Sequence, residues 1–143
     1  MNVIEVEFAT PEYDDTVRLR YKILRLPLGL DFTAEQLAEE YNDFHLAAYD
    51  AAWILRGCLV LTPKENNTLK MRQVAVDDTV QSKGIGSLLV QASEVFARAK
   101  GFDTMELNAR ETAVPFYLKL GYNTEGAAFE EVSILHFRMV KKL

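Results

Sequence analysis

The sequence predicts an α/β protein in which a mixed sheet of about seven strands is flanked by about four helices. Segments in which apolar and polar residues alternate predict strands, and segments with apolar residues at helical spacing predict helices. The predicted order is βααβββ followed by αβαββ. The chain has 143 residues, of which 49% are hydrophobic and 26% are charged, and this suits one folding unit with a single core. We therefore expect one domain, residues 1–143.

The first half predicts one strand, two helices and three further strands. Alternation in "NVIEVEF" indicates a half-buried strand. Thr10 suits a helix N-cap, with Pro11 at the first helical position, and "TAEQ" at residues 33–36 is a capping-box pattern for a second, shorter helix. The segments "HLAAY", "AWILRGCLVLT" and "LKMRQVAV" predict the three strands, and the first two are joined by a tight turn at Asp50.

The second half alternates helices with strands. A helix from Gly84 to Lys100 ends at Gly101, and six apolar residues fall on one side of it: Ile85, Leu88, Leu89, Ala92, Phe96 and Ala99. "TMELNA" predicts a strand and "AVPFYLKL" a short helix ending at Gly121. "ILHFRMV" predicts a last strand with Leu135, Phe137 and Met139 on one face.

Composition excludes several classes of function. The net charge is −5 and no Lys- and Arg-rich cluster is present, so a nucleic-acid partner is not expected. Cys58 is the only cysteine, so neither an internal disulfide nor a cysteine-rich metal site is expected. No apolar run approaches the ~20 residues that span a bilayer. The opening residues lack the features of a signal peptide, and we expect a cytoplasmic protein with no membrane partner.

The stretch "QSKGIG" predicts an anion-binding turn at the start of the long helix. Helix N-termini present unpaired N–H groups and a partial positive charge, and glycines let an anion approach them closely. A P-loop would need a Gly-Lys-Ser/Thr ending, whereas here Lys83 precedes Gly84. A dinucleotide fingerprint would need a third glycine where Leu89 stands. A helix that merely begins with glycines is the remaining alternative.

Four segments together resemble the GNAT acetyltransferase superfamily. "QSKGIG" resembles its Gln/Arg-x-x-Gly-x-Gly/Ala loop, and "NARETAVPFYLKLGYNTEG" resembles its Asn…Ala…Phe-Tyr-x-Lys-x-Gly-Phe/Tyr segment. "FEEVSILHFRM" is similar to the closing Glu-x-Gly-Ile-Pro-His hairpin of a small bacterial branch, with Ser133 and Leu135 in place of the Gly and Pro. "RLRYKILRLPLG" resembles the N-terminal helix of the same branch.

The resemblance implies that acetyl-CoA is the cosubstrate and that no metal is used. It implies that the fourth and fifth strands splay apart around the thioester, and that the Val76 N–H points at the thioester carbonyl. The implied contacts to the cofactor's arm are Val74, Ala75, Val76, Asn108, Ala113, Phe116 and Tyr117. The implied contacts to its phosphates are Gln81, Ser82, Lys83, Gly84, Ile85, Gly86, Ser87 and Lys119, with Arg110 as a further candidate.

The resemblance also implies direct acetyl transfer to an amine in a ternary complex, with Tyr117 as the general acid toward the departing thiolate. Glu131 and His136 are the candidate bases, and a solvated glutamate and a structural histidine remain open alternatives. The acceptor is an amine-bearing small molecule or peptide, for which Arg18, Arg20 and Arg25 are candidate contacts beside the alternative of a solvated helix face. A non-catalytic acyl-CoA sensor and a nucleotide-binding protein are the competing functions. A homodimer is left open.

Overall fold

The computed structural model describes all residues, 1–143, and contains one sheet of eight strands with four α-helices. The strands are β1 (Asn2–Val6), β2 (Phe44–Tyr49), β3 (Leu55–Lys64), β4 (Thr68–Val76), β5 (Thr104–Arg110), β6 (Asn123–Thr124), β7 (Phe129–Glu131) and β8 (Ile134–Lys142). The α-helices are α1 (Pro11–Arg20), α2 (Ala34–Ala38), α3 (Ile85–Ala99) and α4 (Val114–Lys119). The predicted fold class is confirmed, and the two-residue β6 is the strand that the sequence pattern did not indicate.

Sheet order follows the chain except at one edge. The order is β1-β2-β3-β4-β5-β8-β6, and β7 also pairs with β8. Every neighbouring pair is antiparallel except β4 and β5, which run parallel and are connected through α3. This single parallel pair lies in the middle of the sheet.

Helices cover both faces of the sheet. The larger core lies under α3 and α4 and includes Leu59, Leu89, Met105 and Met139. On the other face α1 packs over two smaller clusters, one of which joins Leu19 to Cys58 and Ala75. None of the helices has the length and apolar composition needed to cross a bilayer.

Helix starts follow the sequence signals. The Thr10 hydroxyl accepts from the Tyr13 N–H at 3.2 Å, with Pro11 in the first turn of α1. Thr33 and Gln36 form the predicted capping box of α2. The Asp50 carboxylate accepts from the N–H groups of Ala52 and Ile54 at 2.9 and 3.0 Å, and so builds the tight turn between β2 and β3.

A buried ionic cluster ties α1 to the segment after α2. Arg20 is fully buried and donates two hydrogen bonds to the Glu40 carboxylate, at 2.8 and 2.9 Å. The Tyr13 hydroxyl donates to the same carboxylate at 2.8 Å, and the His45 Nε2 donates to the Glu40 carbonyl at 3.0 Å. Arg20 is therefore a structural residue, and neither of the two alternatives left open for it, an acceptor contact and a solvated helix face, is correct.

Candidate active site

The two parallel strands separate partway along their length. The ladder between β4 and β5 joins Thr68–Met71 to Thr104–Leu107 and ends there. Beyond that point β4 stays with β3 as far as Val76, and β5 stays with β8 as far as Arg110. Because each strand remains bonded to its outer neighbour, a wedge opens between them, as the splay in the predicted fold requires.

A β-bulge in β4 lies at the mouth of this wedge. The pairing of β3 with β4 shifts register between Cys58 and Val60, and Gln73 takes a left-handed φ of 56°. The Gln73 Oε1 is buried without a hydrogen-bond partner. The extra residue lets Val74 pack on the same face as Met71, since a regular strand would place residues three apart on opposite faces. Neither the bulge nor Gln73 had a signal in the sequence.

A cavity of about 420 Å³ lies in the wedge. Besides the further candidates Arg25 and Arg110, six of the predicted site residues line it, and these six come from β4, β5, the 3₁₀ turn Glu111–Ala113, α4, β7 and β8. They are Val74, Asn108, Ala113, Tyr117, Glu131 and His136. The structure thus brings together the candidate acid, both candidate bases and part of the implied cofactor contact.

Tyr117 presents a hydroxyl with no partner in the chain. The residue is 8% exposed, lines the cavity, and has burial as the sole cause that raises its pKa, to about 12. Tyr122 on the same side of the core differs, because its hydroxyl donates to Glu94 at 2.8 Å. Tyr117 is therefore protonated at neutral pH and free to donate a hydrogen bond into the cavity.

His136 is held in one tautomer. Its Nδ1 lies 2.7 Å from the Ile134 carbonyl, which only accepts, so Nδ1 carries the proton and Nε2 of the neutral ring keeps a lone pair. The ring stacks on Phe129 at 5.9 Å. Glu131 is exposed and lies at the rim of the cavity. Of the two candidate bases, His136 is the buried and oriented one.

The β7–β8 turn has the geometry of a type I′ turn despite its unusual residues. Val132 and Ser133 both have positive φ, 46° and 61°. A branched side chain disfavours this conformation, and Val132 also lines the cavity. The structure therefore places a strained residue at the rim of the site.

The glycine turn leaves amides free at the start of α3. The N–H groups of residues 83–87 donate no hydrogen bond to the rest of the chain. Gly84 is the N-cap, with a φ of 82° and open space around it, whereas a Cβ on Gly86 would lie 3.3 Å from the Phe116 Cζ. Gly84 therefore meets a conformational requirement and Gly86 a packing requirement, and both leave the amides open.

Val76 faces the wedge with its main chain. The Asp77 N–H donates to the Arg56 carbonyl at 2.8 Å, so the alternation of β4 turns the Val76 N–H and carbonyl away from β3. That carbonyl accepts from the Gln81 Nε2 at 3.1 Å, which ties the glycine turn to the strand.

Other predicted contacts lie outside the cavity. Ala75 is buried beside Leu19, and Phe116 packs on Gly86. Lys119 is exposed in the last turn of α4, and Lys83 and Ser82 are exposed in the turn.

Several cavity residues escaped the sequence reasoning. Of the three arginines predicted as acceptor contacts, only Arg25 lines the cavity. Arg18 is exposed and forms an ion pair with Asp15. No pattern in the sequence selected Arg72, Lys70 or Val132, and these three residues also line the cavity. The other lining residues not selected for this role are Leu24, Leu28, Leu30, Met71, Gln73, Leu107 and Ala109.

Cys58 is not a nucleophile in this geometry. It is 1% exposed beneath α1, and burial raises the pKa of its thiol to about 12. His45 bonds to the Glu40 carbonyl in the buried cluster. Both residues are therefore part of the buried structure and not of the cavity.

A family model and curated relatives match this chain. The family model described as "Acetyltransferase (GNAT) domain" matches residues 29–143. "Uncharacterized N-acetyltransferase YjcF" of Bacillus subtilis (strain 168) is 34% identical over 73 residues, which are 50% of this chain and 52% of that protein. The chain thus matches about half the length of such curated relatives.

Solved structures share the whole fold. An acyl-CoA N-acyltransferase from Pseudomonas aeruginosa superposes with a TM-score of 0.81 at 17% identity, covering 98% of each chain. An aminoglycoside 6'-N-acetyltransferase complexed with coenzyme A gives a TM-score of 0.80 at 20% identity, covering 99% of this chain and 97% of the other. At such identities the likeness establishes the fold.

Proposed function

The chain belongs to the GNAT acetyltransferase family, and we propose from this premise that it moves the acetyl group of acetyl-CoA to an amine by direct attack in a ternary complex. One observation carries the proposal: the wedge between β4 and β5 holds a cavity lined by Tyr117 and His136, beside amides that the chain leaves unbonded. We propose that residues 1–143 act as a single domain in this reaction.

The proposed binding mode uses main-chain donors. The amides of residues 83–87 receive the pyrophosphate of coenzyme A at the positive end of α3. The pantetheine arm lies in the wedge along Val74 and Val76 and contacts Asn108 and Ala113. The chain's own geometry fits such a ligand, because the wedge offers strand edges without partners and the turn offers donors without acceptors.

The proposed chemistry assigns one task to each polar group. His136, through Nε2 or a water, takes the proton from the amine; reaching the neutral form of a lysine-like amine costs about 4–5 kcal/mol at pH 7. The Val76 N–H donates to the carbonyl oxygen as negative charge develops there, a contribution of about 3–4 kcal/mol in known oxyanion sites. Tyr117 donates to the leaving sulfur. The buried thiol of Cys58 gives no route to an acyl-enzyme.

A titration followed by a turnover assay tests the proposal. We expect coenzyme A and acetyl-CoA to bind, ATP and NAD not to bind, and thiol release from acetyl-CoA to accelerate with at least one member of a broad amine panel. Binding of coenzyme A without turnover on any amine would favour the sensor instead. Binding of ATP or NAD in place of coenzyme A would favour a nucleotide-binding role.

A further inference from the structure

The cavity has a charge opposite to that of the chain. Four cationic side chains line it, Arg25, Lys70, Arg72 and Arg110, against the single carboxylate of Glu131. The chain as a whole carries a net charge of −5. A local excess of cations around a cavity in an acidic protein favours an anionic ligand.

Two of these arginines have no anionic partner in the chain. The Arg72 Nη1 lies 3.7 Å from the Asp43 Oδ2, whereas Arg25 and Arg110 form no ion pair. The Arg25 guanidinium stacks on the Phe32 ring at 4.5 Å, which orients it and leaves its N–H groups without a carboxylate. Arg138 shows the satisfied alternative, since it donates to both Glu106 and Glu125.

Arg110 lies next to the candidate base. It is paired with His136 across β5 and β8, so the two side chains share one face of the sheet. An anion bound to Arg110 would therefore lie next to His136, the candidate base that receives the amine proton. The phosphate-binding amides of α3 lie on the other side of the wedge, at the end of β4.

Aliphatic side chains line another part of the cavity. Leu24, Leu28 and Leu30 follow α1, and Val132 closes the rim from the β7–β8 turn. Leu28, Leu30 and Val132 are all exposed, so a ligand that covered them would remove apolar surface from water.

We propose that the acceptor is a small amine that also carries a carboxylate or phosphate group beside an aliphatic body. The proposal rests on the acetyl transfer proposed above. Arg25 and Arg110 bind the anionic oxygens, and the leucines contact the body. The amine nitrogen bonds to the acetyl carbon as the carbon–sulfur bond breaks, and the amine proton leaves to His136. The thiolate takes the Tyr117 proton, and the His136 proton returns to Tyr117 through solvent, so that both residues end the cycle as they began it. The product is an N-acetylated amide that keeps its anion.

Matched amines test the anion. We would measure thiol release with leucine against 3-methylbutylamine, and with O-phosphoethanolamine against ethanolamine, correcting kcat/KM for the fraction of neutral amine. The first pair reports on a carboxylate and the second on a phosphate. An aminoglycoside serves as a polycationic amine, which the same arginines repel. We expect one anionic member to exceed its uncharged partner by about 10- to 100-fold, the factor that a charge-assisted hydrogen bond supplies.

Matched variants locate the effect. Arg25→Gln and Arg110→Gln are each expected to raise KM for the anionic amine about 10-fold or more and to leave the uncharged partner within twofold. Arg98→Gln removes the same charge from an exposed position on α3 and is expected to change neither. The thermal midpoints of all three variants verify that they are folded, and an unchanged coenzyme A affinity of Arg110→Gln, from titration calorimetry, excludes the alternative that Arg110 contacts the cofactor phosphates.

The outcomes separate this proposal from the one it rests on. Equal or better turnover of uncharged or polycationic amines would overturn the anionic acceptor and leave acetyl transfer intact. Equal losses in Arg98→Gln would also overturn it, because the effect would then be general. No turnover on any amine despite coenzyme A binding would overturn the transfer reaction and this proposal with it.

Discussion

Replacement of Ser87 by Glu is expected to stabilise the protein and to weaken its binding of coenzyme A. Ser87 is the third residue of α3, after the N-cap Gly84, in the turn whose amides are unbonded. A carboxylate in the first turn of a helix interacts favourably with the helix dipole. The same carboxylate would repel a pyrophosphate bound there, so the two effects have opposite signs.

The magnitudes follow from simple electrostatics. The dipole contributes about 0.3–1 kcal/mol, which raises the thermal midpoint of a chain of this size by roughly 1–4 °C. Two like charges ~4 Å apart repel by about 1 kcal/mol in water and about 4 kcal/mol at an effective dielectric constant of ~20. Coenzyme A affinity should therefore fall by between about 5-fold and 1,000-fold, and less at high salt.

Titration calorimetry and thermal unfolding of Ser87→Glu and Ser87→Gln measure both effects. The glutamine variant adds nearly the same bulk without the charge. If the two variants bind coenzyme A equally well, the phosphates do not lie on these amides, and the binding mode proposed for α3 is refuted. A lower thermal midpoint for the glutamate variant alone would mean that the carboxylate disturbs the turn itself.

Three further changes probe other parts of the chain. Tyr117→Phe should lower kcat about 100-fold or more with unchanged coenzyme A affinity, and wild-type activity should show no loss from tyrosine ionisation below its pKa of about 12. Glu40→Gln should lower the free energy of unfolding by about 3–5 kcal/mol in urea, because it leaves Arg20 buried without a counter-charge, and a Met–Leu pair at the two positions should restore most of the loss. Val132→Asn should raise stability by about 1 kcal/mol in the same assay, since asparagine tolerates the left-handed conformation.

The pH dependence of the Glu40 contribution has a definite sign. Burial alone would raise the pKa of Glu40, but the hydrogen bonds and charge of Arg20 outweigh it and hold the pKa below the ordinary value of 4.5. Stability from this pair is therefore complete above about pH 4.5 and is lost as the pH falls through the lower, folded value. Glu40→Gln should abolish this part of the acid sensitivity.

Local signals predicted the parts of the fold that local chemistry controls. Thr10, Pro11 and the Thr33–Gln36 box begin helices because they satisfy amides at the helix start, which depends on no distant residue. The glycine at position 84 was recognisable for the same reason. Gly86 was not separable from it, because the packing partner, Phe116, lies 30 residues away in sequence and meets it only in the folded chain.

Features that depend on distant pairings gave no such signal. Leu88 was expected in the core and is exposed, while Val90, Ser93 and Ala97 are buried, because the strands beneath α3 decide which side is covered. Likewise, Gln73 looks like any strand residue until β3 and β4 are paired. Two steps along β3 then match three steps along β4, so β4 holds one extra residue. The cavity wall depends on the second feature, because Gln73 lines the cavity.

The segment after α1 shows how a broken period can build a site. The chain continues from Arg20 into a π-helical turn, Tyr21–Arg25, closed by the Leu26 N–H on the Tyr21 carbonyl. A wider turn advances each residue by a smaller angle than a regular helix does, so the spacing of a regular helix does not predict which side chains share a face beyond Arg20. The guanidinium groups of Arg20 and Arg25 both lie over the Phe32 ring, at 5.0 and 4.5 Å from its centroid, although five residues of a regular helix would place them about 140° apart around its axis. The buried ion pair lies at the last residue of the regular helix, and the irregular turn that follows places Leu24 and Arg25 in the cavity wall. A departure from local preference at such a place is what a functional constraint on the segment predicts.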